Sequence, residues 1–509
     1  GGDSGTLGSA LTGTYGQLTL NADGSYTYVA NQDAADALDA GEPATDVFNY
    51  TVSDGNGGTD TALITITILG ANDAPVAQND EGVIVENGTL TVANGANANL
   101  SGTYDATGEH SGDVINTSSS LHSDSDLDDS ASLNITLIKK NGGSDSAVSS
   151  GSSYNSGTSV TGTYGTLTIG ADGSYTYIAN TAAAEALDAG DTANDVFHYT
   201  LSDGTATDTA TITIKVLGAN DAPVAQNDEG VIVENGTLTV ANGANANLSG
   251  TYDATGEHSG DVINTSSSLH SDSDLDDSAS LNITLIKKNG GSDSAVSSGS
   301  SYNSGTSVTG TYGTLTIGAD GSYTYIANTA AAEALDAGDT ANDVFHYTLS
   351  DGTATDTATI TIKVLGANDA PVAQNDEGVI VENGTLTVAN GANANLSGTY
   401  DVTGEHSGDV INTSSSLHSD SDLDDSASLN ITLIKKNGGS DSAVSSGSSY
   451  NSGTSVTGTY GTLTIGADGS YTYIANTAAA EALDAGETAN DVFHYTLSDG
   501  TATDTATIT

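Results

Sequence analysis

Hydrophobic residues along the chain fall in short clusters in which apolar and polar positions alternate. In the stretch 72–219, the clusters predict β-strands at residues 82–85, 90–92, 133–138, 165–169, 174–178, 196–201 and 210–216. Alternation of β-branched or aromatic residues with Thr, Ser and Lys is typical of strands with one buried and one solvent-facing side. Asp172-Gly173 predicts a hairpin turn between two of them. An Ala-rich stretch at 181–189, followed by Gly190, predicts one helical turn.

The clusters recur along the chain in long repeats. The tetrapeptide Asn-Asp-Ala-Pro begins at Asn72, Asn220 and Asn368, a spacing of 148 residues. The last copy differs from the others at Val402 and Glu487. A repeat of this length suits one domain each, not the short units of a stacked solenoid. We therefore expect a C-terminal part of a diverged repeat at 1–71, full repeats at 72–219 and 220–367, and a repeat truncated at its last strand at 368–509, all cut from a longer protein.

About seven strands per repeat, with turns between them, predict an all-β fold. We expect tandem antiparallel β-sandwiches of the immunoglobulin type, arranged as an elongated rod. Two stretches exceed what such a sandwich needs, residues 93–112 and 141–162, both rich in Gly, Ser and Asn. They are either flexible decoration or extra edge hairpins.

Composition narrows the functional classes. The formal net charge is -58, with 66 acidic residues against 8 basic ones, which argues against binding nucleic acid or an anionic membrane. The sequence contains no run of 18 apolar residues that would predict a membrane span. Cysteine is absent, which excludes disulfides and thiolate zinc sites. Apolar residues make up 36% of the chain and are clustered in the strands, so we expect it to fold.

Acidic residues are concentrated in one segment of each repeat. Asp124, Asp126, Asp128 and Asp129 place four carboxylates within six residues. They repel one another unless a cation lies among them. Calcium takes six to eight oxygen ligands in flexible geometry, so such a segment suits it. The alternative is a solvated acidic loop. An EF-hand is excluded, because Asp129 and Ile135 stand where its glycine and glutamate would be.

A longer pattern points to a family. The segments Thr163-Tyr164-Gly165-Thr166-Leu167-Thr168, Ala171-Asp172-Gly173-Ser174-Tyr175-Thr176-Tyr177, Ala186-Leu187-Asp188-Ala189-Gly190, Ser202-Asp203-Gly204 and Asn220-Asp221-Ala222-Pro223 follow one another. Together they resemble the VCBS repeat, a cadherin-like module of very large bacterial surface adhesins of the RTX type. The resemblance extends to residues 1–71. It implies a calcium-binding, extracellular protein at the bacterial cell surface.

The junction between repeats is a second candidate for calcium. Leu217-Gly218-Ala219-Asn220-Asp221-Ala222-Pro223 resembles the cadherin linker, in which Asn and Asp hold calcium between domains. The resemblance implies ligands from Glu86 of the preceding repeat and from the acidic segment of the next. The alternative is an ordinary turn-rich linker. Asp203 and Asp208 either complete a site or only form their turn, and the same choice stands for Asp188 and Asp191, which flank Gly190.

Each candidate metal ligand lies in one of four places: the linker, the acidic segment, the strand-end loop, or the repeat that precedes a junction. They are Asp73, Glu86, Asp124, Asp126, Asp128, Asp129, Asp203, Asp208, Asn220, Asp221, Glu234, Asp272, Asp274, Asp276, Asp277, Asp351, Asp356, Asn368, Asp369, Asp420, Asp422, Asp424 and Asp425.

These observations favour a structural role over catalysis. No Ser-His-Asp or metal-hydrolase spacing is present, and we predict no enzymatic activity. The main hypothesis is a calcium-stabilised extender that projects a distal binding module in adhesion or biofilm formation, with calcium ions and neighbouring repeats as its partners. One alternative is that the repeats bind glycan or cell surfaces through their long loops, where Tyr104 and Tyr154 are the aromatic residues. Another is a general acidic adaptation to high salt without specific ions.

Overall fold

A computed structural model describes residues 4–115, 122–128, 131–263, 270–276, 279–397, 399, 402–411, 418–424 and 427–509. The chain divides into two compact units, one of residues 1–222 with 274–279, the other of residues 223–273 with 280–509. The regular secondary structure of the described residues is almost entirely β-strand, as predicted.

Residues 1–71 form a three-stranded sheet and a two-stranded sheet. The elements are β1 (Ala10–Thr12), β2 (Gln17–Leu20), β3 (Tyr26–Val29), α1 (Asp33–Asp36), β4 (Pro43–Ser53) and β5 (Thr59–Leu69). The sheet orders are β1-β2-β3 and β4-β5, with antiparallel pairing.

The repeat at 72–219 contains nine strands and one short helix among its described residues. The elements are β6 (Asp80–Val85), β7 (Thr89–Val92), β8 (Asn134–Lys140), β9 (Ser146–Ala147), β10 (Thr158–Thr161), β11 (Thr166–Ile169), β12 (Tyr175–Ile178), α2 (Ala182–Glu185), β13 (Thr192–Ser202) and β14 (Thr207–Leu217). All seven strands expected from the alternation are confirmed. So are the hairpin between β11 and β12 and the helical turn, which the side chain of Thr181 caps.

These strands form two sheets, in the orders β6-β14-β13-β8-β9 and β7-β12-β11-β10. One pair departs from the expected antiparallel arrangement, because β6 runs parallel to β14. The inward side chains of both sheets share one core. Tyr177 of the smaller sheet and Phe197 of the larger one meet edge to face, with ring centroids 6.2 Å apart.

The two long stretches form sheet edges. Val83 of β6 makes two backbone hydrogen bonds of 2.8 Å with the segment 108–109: its N–H donates to the carbonyl of Glu109, and its carbonyl accepts from the N–H of Gly108. The stretch 93–112 therefore covers the edge of the larger sheet. The stretch 141–162 supplies the edge strands β9 and β10, which the alternation did not reveal because they are short and polar.

The repeat at 220–367 has the same architecture. Its elements are β15 (Asp228–Val233), β16 (Thr237–Val240), β17 (Asn282–Lys288), β18 (Ser294–Ala295), β19 (Thr306–Thr309), β20 (Thr314–Ile317), β21 (Tyr323–Ile326), α3 (Ala330–Glu333), β22 (Thr340–Ser350) and β23 (Thr355–Leu365).

The described part of 368–509 forms two four-stranded sheets. The elements are β24 (Thr385–Val388), β25 (Asn430–Lys436), β26 (Ser442–Ala443), β27 (Thr454–Thr457), β28 (Thr462–Ile465), β29 (Tyr471–Ile474), β30 (Phe493–Ser498) and β31 (Thr503–Ile508). The segment equivalent to β6 contributes one parallel bridge here, between Asp376 and Ile508.

Candidate metal centre

The linker that enters the repeat at 72–219 is held by acidic side chains. Oδ1 of Asp124 accepts a hydrogen bond of 2.7 Å from the backbone N–H of Gln78, and Oδ2 of Asp128 accepts one of 3.1 Å from that of Asp73. Each carboxylate thus uses one oxygen to fix the linker. Its other oxygen, Oδ2 of Asp124 and Oδ1 of Asp128, is buried without a hydrogen-bond partner among the described residues.

The β13–β14 hairpin contributes two further acids to this linker, Asp203 in its loop and Asp208 at the start of β14. Oδ2 of Asp203 accepts a hydrogen bond of 2.9 Å from the side-chain amide of Asn72. Oδ2 of Asp208 accepts one of 2.9 Å from the backbone N–H of Ala77. The two hairpin aspartates therefore do more than form their own turn, since they bind the start of the same repeat.

Asp126, Asp128 and Asp203 are brought together. A carboxylate oxygen from each lies within 4.8 Å of those of the other two. Burial raises the pKa of Asp126, and the charges of Asp128, Asp203 and Asp73 raise it further. Oδ2 of Asp126 is also a buried oxygen without a partner in the described structure. The arrangement concentrates negative charge where the linker enters the domain.

The junction after residue 219 gathers acids from the preceding repeat, the linker and the next acidic segment. Oε1 of Glu86 accepts a hydrogen bond from the backbone N–H of Ala219. Oδ2 of Asp276 accepts one of 3.1 Å from that of Asp221. The acidic segment thus holds this linker in the same way as Asp128 holds the linker at Asp73.

Electrostatic repulsion is built into this junction. Burial raises the pKa of Glu86 despite the N–H of Ala219, and the charges of Asp221 and Asp276 add to the rise. The pKa of Asp276 is raised by burial and by the charges of Asp274, Asp188 and Asp221. Four buried oxygens of this cluster have no partner among the described residues: Oε2 of Glu86, Oδ2 of Asp221, Oδ2 of Asp274 and Oδ1 of Asp276.

The junction after residue 367 repeats the arrangement. Glu234 accepts a hydrogen bond from the N–H of Ala367, and Asp424 accepts one of 3.1 Å from that of Asp369. Burial raises the pKa of Glu234, with Asp369, Asp424 and Glu333 adding to the rise. Oε2 of Glu234, Oδ2 of Asp369, Oδ2 of Asp422 and Oδ1 of Asp424 are buried without partners in the described part of the chain.

Asp124 faces the domain interior. It is 2% exposed, and the hydroxyl of Tyr199 lies 3.5 Å from its Oδ1. The same hydroxyl donates to the carbonyl of Gln78 at 2.6 Å and lies 3.3 Å from Oδ2 of Asp80. Burial raises the pKa of Asp124 to about 7. The pKa of Asp80 is raised well above its usual range, by burial first and then by the charge of Asp124.

The equivalents of these residues keep the same partners. Asp272 and Asp420 accept from the N–H groups of Gln226 and Gln374, and Asp356 from that of Ala225. Asp351 accepts from the N–H groups of Thr353 and Ala354, and Asn368 donates to Asp499. Asn220 also makes a short contact to the carbonyl of Asp221. Asp129, Asp277 and Asp425 lie outside the described residues.

Two acids at the junction were not predicted as ligands: Glu185 was not considered, and Asp188 was left as an open alternative. Glu185 ends α2, and its charge raises the pKa of Glu86 and Asp221. Asp188, in the turn after α2, acts on Asp276. Their position in the turn before Gly190 was the available signal, but sequence alone does not show that this turn lies at the end of the domain where the linker leaves.

The donors fit a hard divalent cation. Every candidate ligand atom is a carboxylate or amide oxygen, the donor type that calcium prefers, and no thiol exists in the chain. Several oxygens at each junction are buried and unpartnered among the described residues. Buried carboxylates are normally paired with a proton, a cation or a hydrogen-bond donor. A proton neutralises one carboxylate at a time, whereas a single calcium ion can accept oxygens from several carboxylates at once.

No helix in the described part of the chain has the length and apolar character needed to span a membrane.

The fold and the acidic junctions define a tandem cadherin-like array, and comparison with known families agrees. The family described as "Bacterial cadherin-like domain" matches residues 1–70, 72–218 and 220–366. The chain therefore belongs to the bacterial cadherin-like domain family.

Individual relatives and structures are more distant. A stretch of 71 residues is 38% identical to the calcium-binding lectin RapA2 of Rhizobium johnstonii, covering 14% of this chain and 30% of that protein. The extracellular cadherin domains 1–4 of protocadherin gamma B7 align over 98% of this chain and 90% of that one, at 11% identity and a TM-score of 0.39. A three-domain immunoglobulin fragment of titin aligns over 86% and 97%, at 8% identity and a TM-score of 0.28.

Proposed function

We propose that the chain is a calcium-braced extender segment of a bacterial cell-surface adhesin of the VCBS and RTX type. The observation that carries the proposal is the convergence of Glu86, Asp221 and Asp276 at one junction, with a buried, unpartnered oxygen on each among the described residues. Glu86 belongs to one repeat, Asp221 to the linker and Asp276 to the acidic segment of the next repeat. A cation bound to all three would connect successive domains.

The mechanism is electrostatic. Without a cation, the carboxylates at each junction repel one another at short range, and hydrogen bonds to the linker N–H groups are the main opposing force. Calcium neutralises the cluster and binds only when the repeats are folded and adjacent. It therefore stabilises the folded state by mass action, by about 2.7 kcal/mol at a free concentration one hundred times its Kd. Ligands from two domains also restrict movement at the linker.

An extender role accounts for the repetition. Residues 72–219 and 220–367 are identical in sequence, so neither copy has a binding surface that the other lacks. Identical copies set length, and a stiff array places a module elsewhere in the protein far from the cell. The repetition of identical domains and the family membership support an extracellular position at the bacterial surface and a part in adhesion or biofilm formation.

A second candidate function is glycan binding by the repeats themselves. The relative in Rhizobium johnstonii is named a calcium-binding lectin, and repeated weak sites would gain through avidity. Tyr104 and Tyr154, the aromatic residues of the long stretches, are only half-buried. The ring of Tyr104 is engaged, since its hydroxyl hydrogen-bonds Glu81. A glycan array probed with the whole chain tests this candidate, and binding that is lost when Tyr104→Ala and Tyr154→Ala are combined with the equivalent changes in the other repeats would favour it.

The experiment that tests the extender proposal is thermal unfolding of the chain in chelator, in millimolar calcium, in millimolar magnesium and in molar sodium chloride. We expect a large rise in Tm with calcium alone. An equal rise with sodium chloride would favour a general acidic adaptation to salt. The absence of any calcium-specific change would contradict the proposal.

A further inference from the structure

The first and last strands of each full repeat lie side by side. In the repeat at 72–219, β6 is the first strand after one linker and β14 is the last strand before the next. The two strands run parallel, with β6, from Asp80 to Val85, opposite Ile212 to Leu217 of β14. In the repeat at 220–367, β15 and β23 are paired in the same way. The chain therefore enters this pair of strands at one end and leaves it at the other.

This arrangement determines how tension along the chain acts on a repeat. A pull on the preceding linker acts on the N-terminal end of β6, and a pull on the following linker acts on the C-terminal end of β14. Because parallel neighbours have these ends at opposite ends of the pair, the strands are drawn past each other lengthwise. Their evenly spaced hydrogen bonds then carry the load together. Strands that are pulled from one end, in contrast, open one bond at a time.

Both strands are also held at their other edges. β13 pairs antiparallel with the whole of β14. On the far side of β6, the N–H of Ser111 donates to the carbonyl of Glu81 at 2.9 Å, and the N–H of Glu81 donates to the hydroxyl of Ser111 at 3.0 Å. With the two bonds of Val83, these contacts fasten β6 to the segment 108–111. A lengthwise pull therefore loads hydrogen bonds on both edges of each strand.

The paired region is shielded from water. Val83, Ile84, Ile214 and Val216 are each no more than 3% exposed. Water can replace a stretched hydrogen bond at an exposed edge, but a bond that breaks inside this region leaves buried N–H and C=O groups without partners, which is costly. Burial therefore increases the resistance of the pair to a lengthwise pull.

We propose that the parallel pair of first and last strands is a mechanical clamp, through which each full repeat bears tension between its two linkers. The inference rests on the proposed extender function, since an adhesin that is anchored at one end and attached at the other is under tension. It adds a load-bearing role that lies within the repeat. No proposed calcium ligand lies between Asp80 and Val85 or between Ile212 and Leu217, so the clamp does not require the junction ions.

Single-molecule force spectroscopy on the full chain tests the clamp by moving one point of attachment. The chain has no cysteine, so Ala74→Cys with Ala370→Cys, both at exposed positions, places handles in the linkers before and after the two identical repeats. Thr89→Cys with Ala370→Cys moves the first handle to the exposed start of β7. That handle is next to the C-terminal end of β6, the end at which β14 is also pulled, so the pair opens from one end. The identical repeat at 220–367 is pulled as before and is the internal control.

With handles at Ala74 and Ala370, we expect both repeats to unfold at the same high force. With handles at Thr89 and Ala370, the high-force events should fall from two to one, and the repeat at 72–219 should unfold at a clearly lower force, because forced unfolding follows the unfolding rate along the direction of pulling. An unchanged force for that repeat would overturn the inference. The two variants should have the same Tm, and if Thr89→Cys lowers it, Thr91→Cys, also at an exposed position, replaces it.

The measurement is made in chelator and in millimolar calcium. The difference between the two attachment points should persist in chelator. A difference that is present only with calcium would overturn the clamp and assign the resistance to ions at the junctions. A difference that persists while calcium leaves the Tm unchanged would support the clamp and contradict only the calcium bracing, so the two proposals can fail separately.

Discussion

Oδ2 of Asp276 accepts a hydrogen bond of 3.1 Å from the backbone N–H of Asp221, so the acidic segment of one repeat holds the linker that leads into it. Asp424 and Asp369 repeat the contact at the same distance. In both cases the second oxygen of the holding carboxylate is buried without a partner among the described residues. One side chain therefore fixes the linker and presents an oxygen to the acids around it.

The buried glutamate at each junction should be important for calcium and less so for folding. Glu86→Gln keeps an oxygen for the N–H of Ala219 but removes the charge. We expect calcium affinity at that junction to fall on the order of tenfold or more, because affinity follows the charge of the ligand set. In chelator the variant should be at least as stable as the parent, since repulsion is relieved. Titration calorimetry and denaturation in chelator check both, with Asp145→Asn as control. An unchanged affinity would show that Glu86 is not a ligand.

A second buried acid has a structural role in every copy. Asp195 accepts hydrogen bonds from the N–H groups of Thr163, Tyr164 and Gly165 and, at 2.6 Å, from the hydroxyl of Tyr177. Asp195→Asn would set an amide group against these donors. We expect a loss of about 2–4 kcal/mol in the stability of that repeat, as buried hydrogen bonds to a charged group are strong.

Differential scanning calorimetry checks this expectation. The substituted repeat should unfold at a lower temperature than its neighbours, with or without calcium. The matched control is again Asp145→Asn, whose exposed ion pair with Lys139 should contribute less than about 1 kcal/mol. An Asp195→Asn profile that coincides with the control would show that the hydrogen bonds to this carboxylate do not stabilise the repeat.

Stability in chelator should depend on pH in an unusual direction. Burial raises the pKa of Asp124 to about 7 and that of Asp376 to about 8. The folded chain therefore binds protons that the unfolded chain has released above about pH 4. The stabilisation from these protons is complete below that pH and is lost as the pH rises through 7 and 8.

Chemical denaturation in chelator at pH 5, 6, 7 and 8 checks this trend. Stability should fall steadily as the pH rises. Saturating calcium should remove or reverse the fall, because the ion replaces protons at the junctions and at Asp124. Rising stability between pH 5 and 8 in chelator would mean that these carboxyl groups are ionised in the folded state.

The sequence predicted the sandwich well because apolar residues, which point into the core, alternate with polar residues along each strand. Phe197 and Tyr199 alternate with His198 and Thr200, and the structure buries the first pair. The edge strands β9 and β10 were only one of two alternatives for the stretch 141–162, since a short strand at an edge has no apolar face to reveal it. The parallel pairing of β6 with β14 joins residues more than one hundred positions apart, and alternation carries no information about partner strands.

The candidate site was predicted in part. The acidic segment was identified because its carboxylates are dense in sequence, and the linker because it resembles the cadherin linker. The structural role of Asp195 was not identified, because an isolated aspartate among many looks the same whether it faces solvent or backbone N–H groups. Asp124 and Asp126 were expected to act together; in the structure the first lies beside Tyr199 and the second beside Asp203, and both line one cavity. That difference depends on the path of the loop, which no local pattern specifies.

The most direct test of calcium bracing is a distance measurement between successive repeats. The chain has no cysteine, so Ser150→Cys and Ser298→Cys, both at exposed positions, can each carry a single spin label. Double electron–electron resonance should give a broad distance distribution in chelator and a narrow one in millimolar calcium, and Glu86→Gln should keep the calcium distribution broad. A distribution of the same width with and without calcium would contradict the account.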